Sequence, residues 1–209
     1  MHSMNSAQSP SKQHRGPGRP REFDMDAALD GAVRVFRDSG YHATSIVDLC
    51  SAMQLTAGSI YKAFGDKRAV FLAAFNRYTR LRNDELRNLL GKVESGHDKI
   101  QVVLRFYAES SHGAEGRLGC LVAGSAMALA NFDEEMATQI EASMQALERL
   151  LRDLVRLGRE DGSISKDVDI DAAARSLLCL LQGFRVIGKF GRTRAEMMAA
   201  VDEAMRLLS

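Results

Sequence analysis

The chain has no tryptophan, and its three prolines, Pro10, Pro17 and Pro20, all fall within the first twenty of 209 residues. Everything after them is free of obligate helix breakers and is punctuated only by glycine, so an all-α fold is expected. Cysteine is also scarce. Cys50, Cys120 and Cys179 are odd in number, widely spaced and without a CxxC pair, which excludes a disulfide framework and a structural zinc site and fits a reducing cytoplasm. Long apolar runs are missing too: the longest, "CLVAGSAMALA", is too short and too rich in small residues to span a bilayer, and the N-terminus has no apolar signal core. Neither membrane association nor a cofactor is expected. The histidines His2, His14, His42 and His97 show no metal-ligand spacing.

Net charge is nearly absent at +1, but the sum hides an asymmetry. Residues 1–80 hold 11 Lys/Arg against 7 Asp/Glu, and residues 81–209 hold 17 against 20. A basic front joined to an acidic back points to two jobs in one chain. The first 22 residues, rich in Ser, Gln, Pro and Gly, read as a disordered basic arm. Within it "RGPGRPR" offers Arg15, Arg19 and Arg21 on a backbone that cannot become a helix, suited to a narrow A·T-rich minor groove or simply to solvation.

From Asp24 a helical period takes over, with Leu29, Ala32, Val33 and Phe36 on one face and Gly40 as its stop. Thr44 is the expected N-cap of a second, short helix that buries Ile46, Leu49, Cys50 and Met53. After a tight connection at Gln54 and Leu55, Thr56 caps a third helix anchored by Ile60 and Phe64. Two short helices laid on a longer one form a helix-turn-helix. The other side of the third helix carries Thr56, Ala57, Gly58 and Ser59, a flank too bare for core filling and suited to lie against something large. Asp66 then caps a connector helix reaching to about Leu90, before the Gly91/Gly96 break.

Five further helices are expected at about 98–112, 119–131, 133–159, 169–189 and 194–208, making nine in all, with the helix-turn-helix unit over 23–72 and the remaining helices over 73–209. The segment "LLCLLQGFRVI" is apolar nearly all round, and the last helix adds a stripe of Met197, Met198, Val201, Met205 and Leu208. A self-complementary patch pairing with its twin in a homodimer would explain both, and burial within the chain is the competing account.

Residues 40–71, "GYHATSIVDLCSAMQLTAGSIYKAFGDKRAVF", resemble the DNA-binding segment of TetR/AcrR-type bacterial transcriptional regulators in Gly40-Tyr41, Thr44-Ser45, Ile60-Tyr61, Phe64 and Lys67. Two positions depart from that pattern: Gln54 stands where a turn glycine is frequent, and Ala63 where many members carry histidine or an aromatic. The resemblance implies a dimeric repressor whose DNA-binding domain, 23–72, binds a two-fold symmetric stretch of double-stranded DNA and whose ligand-binding and dimerisation domain, 73–209, releases it on binding a small-molecule effector or on thiol modification. Phosphates would be held by the start of the second helix at Thr44 and Ser45 and, by resemblance, by Tyr61 and Lys67; Lys62 would reach a base or a phosphate. The N-terminal end of the third helix, from Thr56 to Ser59, would enter the major groove.

For the effector, Phe106, Tyr107, Met127, Met144 and Phe184 are candidate pocket residues, with core packing as their alternative. Cys120 follows "GRLG" at a helix start and resembles a cysteine of a subgroup that answers electrophiles or oxidants. Two rivals are weighed: a division-linked or architectural DNA binder without ligand control, and a hydrolase using Cys120 with His112, for which no orienting third residue is evident.

Overall fold

The computed structural model describes residues 24–129 and 133–208, and the arm with Arg15, Arg19 and Arg21 lies outside them. Ten α-helices occur among the described residues: α1 Met25–Ala43, α2 Ile46–Met53, α3 Ala57–Phe64, α4 Lys67–Leu90, α5 Gly96–Glu109, α6 Gly113–Leu118, α7 Leu121–Leu129, α8 Glu134–Asp161, α9 Ile170–Ile187 and α10 Arg194–Met205. The one beyond the expected nine is α6, six residues that include Gly113 and Gly116 and so read as loop in the sequence. None of the helices among the described residues is long and apolar enough to cross a membrane.

Local signals place the first four helices. Asp24 accepts the Asp26 and Ala27 N–H groups, Thr56 that of Ser59, and Asp66 that of Ala69. Gly40 kinks α1 at φ 77°, ψ 168°, a conformation that ends regular helix where the sequence expected it to end. The expected cap at Thr44 moves by one residue. Ser45 caps α2 in a reciprocal box with Asp48, while Thr44, 1% exposed, turns its hydroxyl back onto the Gly40 carbonyl at 2.6 Å.

The α2–α3 turn needs a left-handed residue, and Gln54 supplies it at φ 55°, ψ 40°. Its N–H caps the Cys50 and Ser51 carbonyls, so the departure from glycine leaves the turn intact and costs conformational strain instead. On the other side of α2, α1 comes so close that a Cβ on Gly31 would lie 2.1 Å from the Ala52 carbonyl oxygen.

Two apolar cores follow. The first gathers Ala32 and Phe36 of α1, Leu49 of α2, Ile60 of α3 and Phe71 and Phe75 of α4, and is completed by Leu121, Met136 and Ile140 from α7 and α8. The second joins Leu86 of α4 to α5, α8, α9 and α10. Helix α4, 24 residues or about 36 Å long, therefore serves both. Ion pairs add further ties: Arg77 grips Asp26 and Asp30 of α1, and Arg68 grips Asp133 and Glu135 at the start of α8. Arg68 also holds the Asp133 carboxyl down at about 2.

The last helix corrects one expectation. Met197, Val201, Met205 and Leu208 are buried in this chain's own second core, and Met198 packs partly against it, so the methionine stripe is intrachain packing and not a docking face. On α9 the apolar character is split: Leu177, Leu181 and Phe184 face inward, while Cys179, Val186 and Ile187 stay exposed. Gln54→Gly is expected to raise stability by about 0.5–1 kcal/mol through relief of the left-handed strain. Gly31→Ala should lower it by more than about 2 kcal/mol by forcing α1 off α2. Urea unfolding followed by circular dichroism distinguishes the two signs.

Candidate nucleic-acid interface and effector cavity

Helix α3 is held from one side only. Ile60 is fully buried and Phe64 half-buried, whereas Thr56, Ala57, Gly58, Tyr61 and Lys62 are exposed, Tyr61 by 51%. Ser59, half-buried, bonds Thr56 through both its N–H and its hydroxyl, at 3.2 and 2.9 Å. The first turn carries no acidic residue, so the positive end of the helix dipole is not neutralised locally. Space around Gly58 is open: a Cβ there would find nothing nearer than Thr56 Oγ1 at 4.0 Å. No contact inside the chain requires a glycine at this point of the first turn.

The start of α2 contributes less than the sequence suggested. Thr44 is buried and offers no hydroxyl, and the Ser45 hydroxyl donates to Asp48 Oδ2 at 2.7 Å. The same carboxylate accepts the Ser45 N–H at 2.8 Å, and these bonds hold the Asp48 pKa below its ordinary value. A phosphate here would meet the first-turn N–H groups of Ile46 and Val47, with the Asp48 charge close by. Lys67 is spoken for as well. Its Nζ donates to the carbonyls of Tyr41 and Thr44 at 3.0 and 2.9 Å and sits 4.5 Å from the centre of the Tyr41 ring, so it locks the end of α1 to the start of α4 and has at most one N–H left for DNA. Sequence reasoning missed Val47, 76% exposed beside this surface; its signal was an apolar residue off the buried stripe of α2.

A cavity of about 520 Å³ opens between α4, α5, the residues leading into α7, α8 and α9. Of the expected ligand residues, Tyr107, Cys120 and Met144 line it. Phe106 and Phe184 do not: each is buried in the second core, one helical position away from the cavity-lining Tyr107 and Arg185, and a step of about 100° turns a side chain elsewhere. Met127 lies on α7, and its side chain is outside the described residues. The cavity also holds groups that were not anticipated, Tyr78, Arg82, Gln139 and Arg185. The Tyr78 hydroxyl donates to Cys120 Sγ at 3.7 Å. Burial pushes the Tyr78 phenol up to about 12, the charge of a Cys120 thiolate adds to this, and Arg185, Arg82 and Arg37 oppose it. His112 is not among the lining residues; its Nε2 lies 3.1 Å from Glu109 Oε2, which leaves the Cys120–His112 hydrolase pair without support. Among the described residues no cluster of His, Cys, Asp and Glu could hold a metal ion.

Comparison with known proteins decides the family. Residues 28–74 match the family model described as bacterial regulatory proteins, tetR family, and residues 96–204 match that of the tetracyclin repressor-like C-terminal domain. The chain belongs to the TetR family. It is therefore a DNA-binding transcriptional regulator. Among relatives, the HTH-type transcriptional repressor ComR of Escherichia coli strain K12 is 27% identical over 191 residues, 91% of each chain. A cysteine mutant of the TetR-family regulator CifR, solved in complex with 26-base-pair operator DNA, is 31% identical with a TM-score of 0.81, covering 90% of this chain and 98% of that one. The HTH-type repressor BdcR of the same Escherichia coli strain is 30% identical over 111 residues, 53% of this chain and 56% of its own.

Gly58→Ala should stabilise the fold by up to about 1 kcal/mol while weakening operator binding, a combination that a structural glycine would not give. Lys62→Ala should lower the slope of log affinity against log salt by about 1 and leave the melting temperature unchanged. Lys67→Ala, by contrast, should cost about 1–2 kcal/mol of stability because two carbonyls lose their donor. Fluorescence anisotropy across a salt series, run beside thermal melts, separates these outcomes.

Proposed function

We propose that this regulator is a cytoplasmic, dimeric repressor that reads a two-fold symmetric operator with paired α3 helices and lets go when its cavity is filled or Cys120 is modified. The observation that carries the DNA reading is the exposed, side-chain-poor flank of α3 with open space at Gly58. Direct base readout is sparse there, so Ser59, Lys62, methyl contacts and DNA shape would share discrimination. Arg19 and Arg21 would add minor-groove contacts from the arm. For the twin subunit, the surface in question is the shallow apolar trough on α9 formed by Ala172, Ser176, Cys179, Gly183 and Ile187 with Ala200 of α10, a face of the kind that pairs across a two-fold axis.

Coupling between cavity and DNA has a physical route. Arg37 of α1 donates from Nε to the Gly119 carbonyl at 2.8 Å, and its terminal nitrogen reaches the Glu115 carboxylate at 2.8 Å. Gly119 is the residue before Cys120. A ligand or adduct that displaces Cys120 pulls directly on the helix carrying the DNA-reading unit, and α4 carries the same displacement along the cavity wall. Release requires that the occupant favour the displaced arrangement; equal affinity for both would shift nothing. Thiol modification is the second route because Cys120 is half-buried and faces the cavity, whereas an architectural binder without ligand control would have no use for that cavity.

A footprint on DNA flanking the protein's own gene should reveal a two-fold symmetric protected site; binding indifferent to sequence would overturn the operator reading. With iodoacetamide as the thiol probe, release from that site should occur in the wild type and be lost in Cys120→Ser. In Arg37→Met the thiol should still be alkylated but the coupling should fall by on the order of 1 kcal/mol.

A further inference from the structure

The partly or fully buried arginines of this chain differ in what they meet, and Arg159 bonds the Val168 carbonyl. Arg37, Arg68, Arg77 and Arg152 are each paired with a carboxylate at 2.8 Å or less. Arg82 and Arg185 are not: among the described residues, neither has a carboxylate within ion-pair distance. Arg185 is 4% exposed, and its Nε is buried without a hydrogen-bond partner. Its Nη1 donates to the Ser110 carbonyl at 2.9 Å, and its guanidinium lies 4.9 Å from the Tyr107 ring centre. Arg82 donates to Ser110 Oγ at 2.9 Å and stacks 4.0 Å from the Phe106 ring centre. Both line the cavity, so two like charges are held near each other, Arg185 out of bulk water and Arg82 partly so, with most of their donor capacity unspent. Burial and then the Arg185 charge lower the Arg82 pKa, as repulsion without a counter-ion requires.

An arrangement of this kind is costly unless something anionic completes it. The rest of the wall says what the remainder of that occupant is. Leu86 and Leu90 lie about one and two turns beyond Arg82 on α4, and Leu147 and Leu150 of α8 line the same space. Gln139, also on α8, leaves its buried Oε1 without a partner and can meet a ligand hydroxyl or, with the amide turned over, a carboxylate oxygen. The volume suits a small molecule.

We propose that the effector is an amphipathic carboxylate, its acid group clamped between Arg82 and Arg185 and its hydrocarbon body laid along Leu86, Leu90, Leu147 and Leu150. This deepens the proposed function, since it names the chemical class that fills the cavity of that regulator. Two guanidiniums meeting one carboxylate form charge-assisted hydrogen bonds that neither an alcohol nor an amide can match. Arg185 thereby gains the partner its Nε lacks.

Calorimetric titration of the purified full chain tests this without DNA. Butanoate, hexanoate and octanoate should bind with affinity rising with length, and octanoate should bind about tenfold or more tightly than octanamide. The preference should disappear in Arg82→Gln, a partly exposed position where circular dichroism confirms folding, and persist in Arg185→Lys at reduced strength. Octanamide binding as well as octanoate, inorganic phosphate binding as well as octanoate, or a preference that survives Arg82→Gln would each overturn the proposal. Release of a footprinted operator by octanoate is a separate readout: a chain that binds the acid but no operator refutes the regulatory role and keeps the carboxylate site, and the reverse result refutes only the site.

Discussion

Helix α4 is the constraint on which the rest depends. Its first half contributes Val70, Phe71, Ala74 and Phe75 to the core that seats α1, α2 and α3, and its second half supplies Arg82, Leu86 and Leu90 to the cavity wall. It runs from Lys67 to Leu90 without a glycine or proline at which it could kink. In the proposed mechanism a shift imposed at the cavity would pass along it to the helix-turn-helix. The N-terminal half of α4 is fastened in two ways. Lys67 ties the start of α4 to the carbonyls that end α1, and Arg68 and Arg77 hold carboxylates on α8 and α1.

The recognition helix itself is built to be available. It touches the core through Ile60 and Phe64, and its N-terminal turn spends its hydroxyls on capping while leaving backbone and methyl groups outward. Stability is sacrificed twice in this small unit, once at Gly58 and once at Gln54. The two sacrifices differ in kind. Gln54 is strained yet performs a turn that any left-handed residue would complete, whereas Gly58 is unstrained and no contact inside the chain calls for it; the proposed duplex contact would.

Much of the helix-turn-helix was legible because its signals are local. Caps at Asp24, Thr56 and Asp66, the helical spacing of Ile60 and Phe64, and the glycine at position 40 act within a turn or two of themselves. Where the reading slipped, a neighbour in space had intervened. Thr44 lost its role to Ser45 because Asp48 completes a reciprocal box with the serine, and Lys67 turned inward because two carbonyls of α1 lie within its reach. The cavity was far less legible. Phe106 and Phe184 belong to the second core while Tyr107 and Arg185 line the cavity, a distinction set by helix rotation. The charge inside "LLCLLQGFRVI" was the one visible hint: Arg185 interrupts an apolar run where only a polar cavity or a partner justifies it.

The sequence alone determined the all-helical class, the helix-turn-helix and the bare flank of α3, because periodicity, capping and glycine placement are properties of a few consecutive residues. Only the tertiary structure decided that the methionine stripe of α10 is core, that Arg37 reaches the Gly119 carbonyl 82 residues away, and that Arg82 and Arg185 share a cavity without a carboxylate. Those outcomes depend on which distant side chains the packed helices bring together. A charge is paired or unpaired, and an apolar face covered or bare, only with respect to neighbours that the chain order does not name.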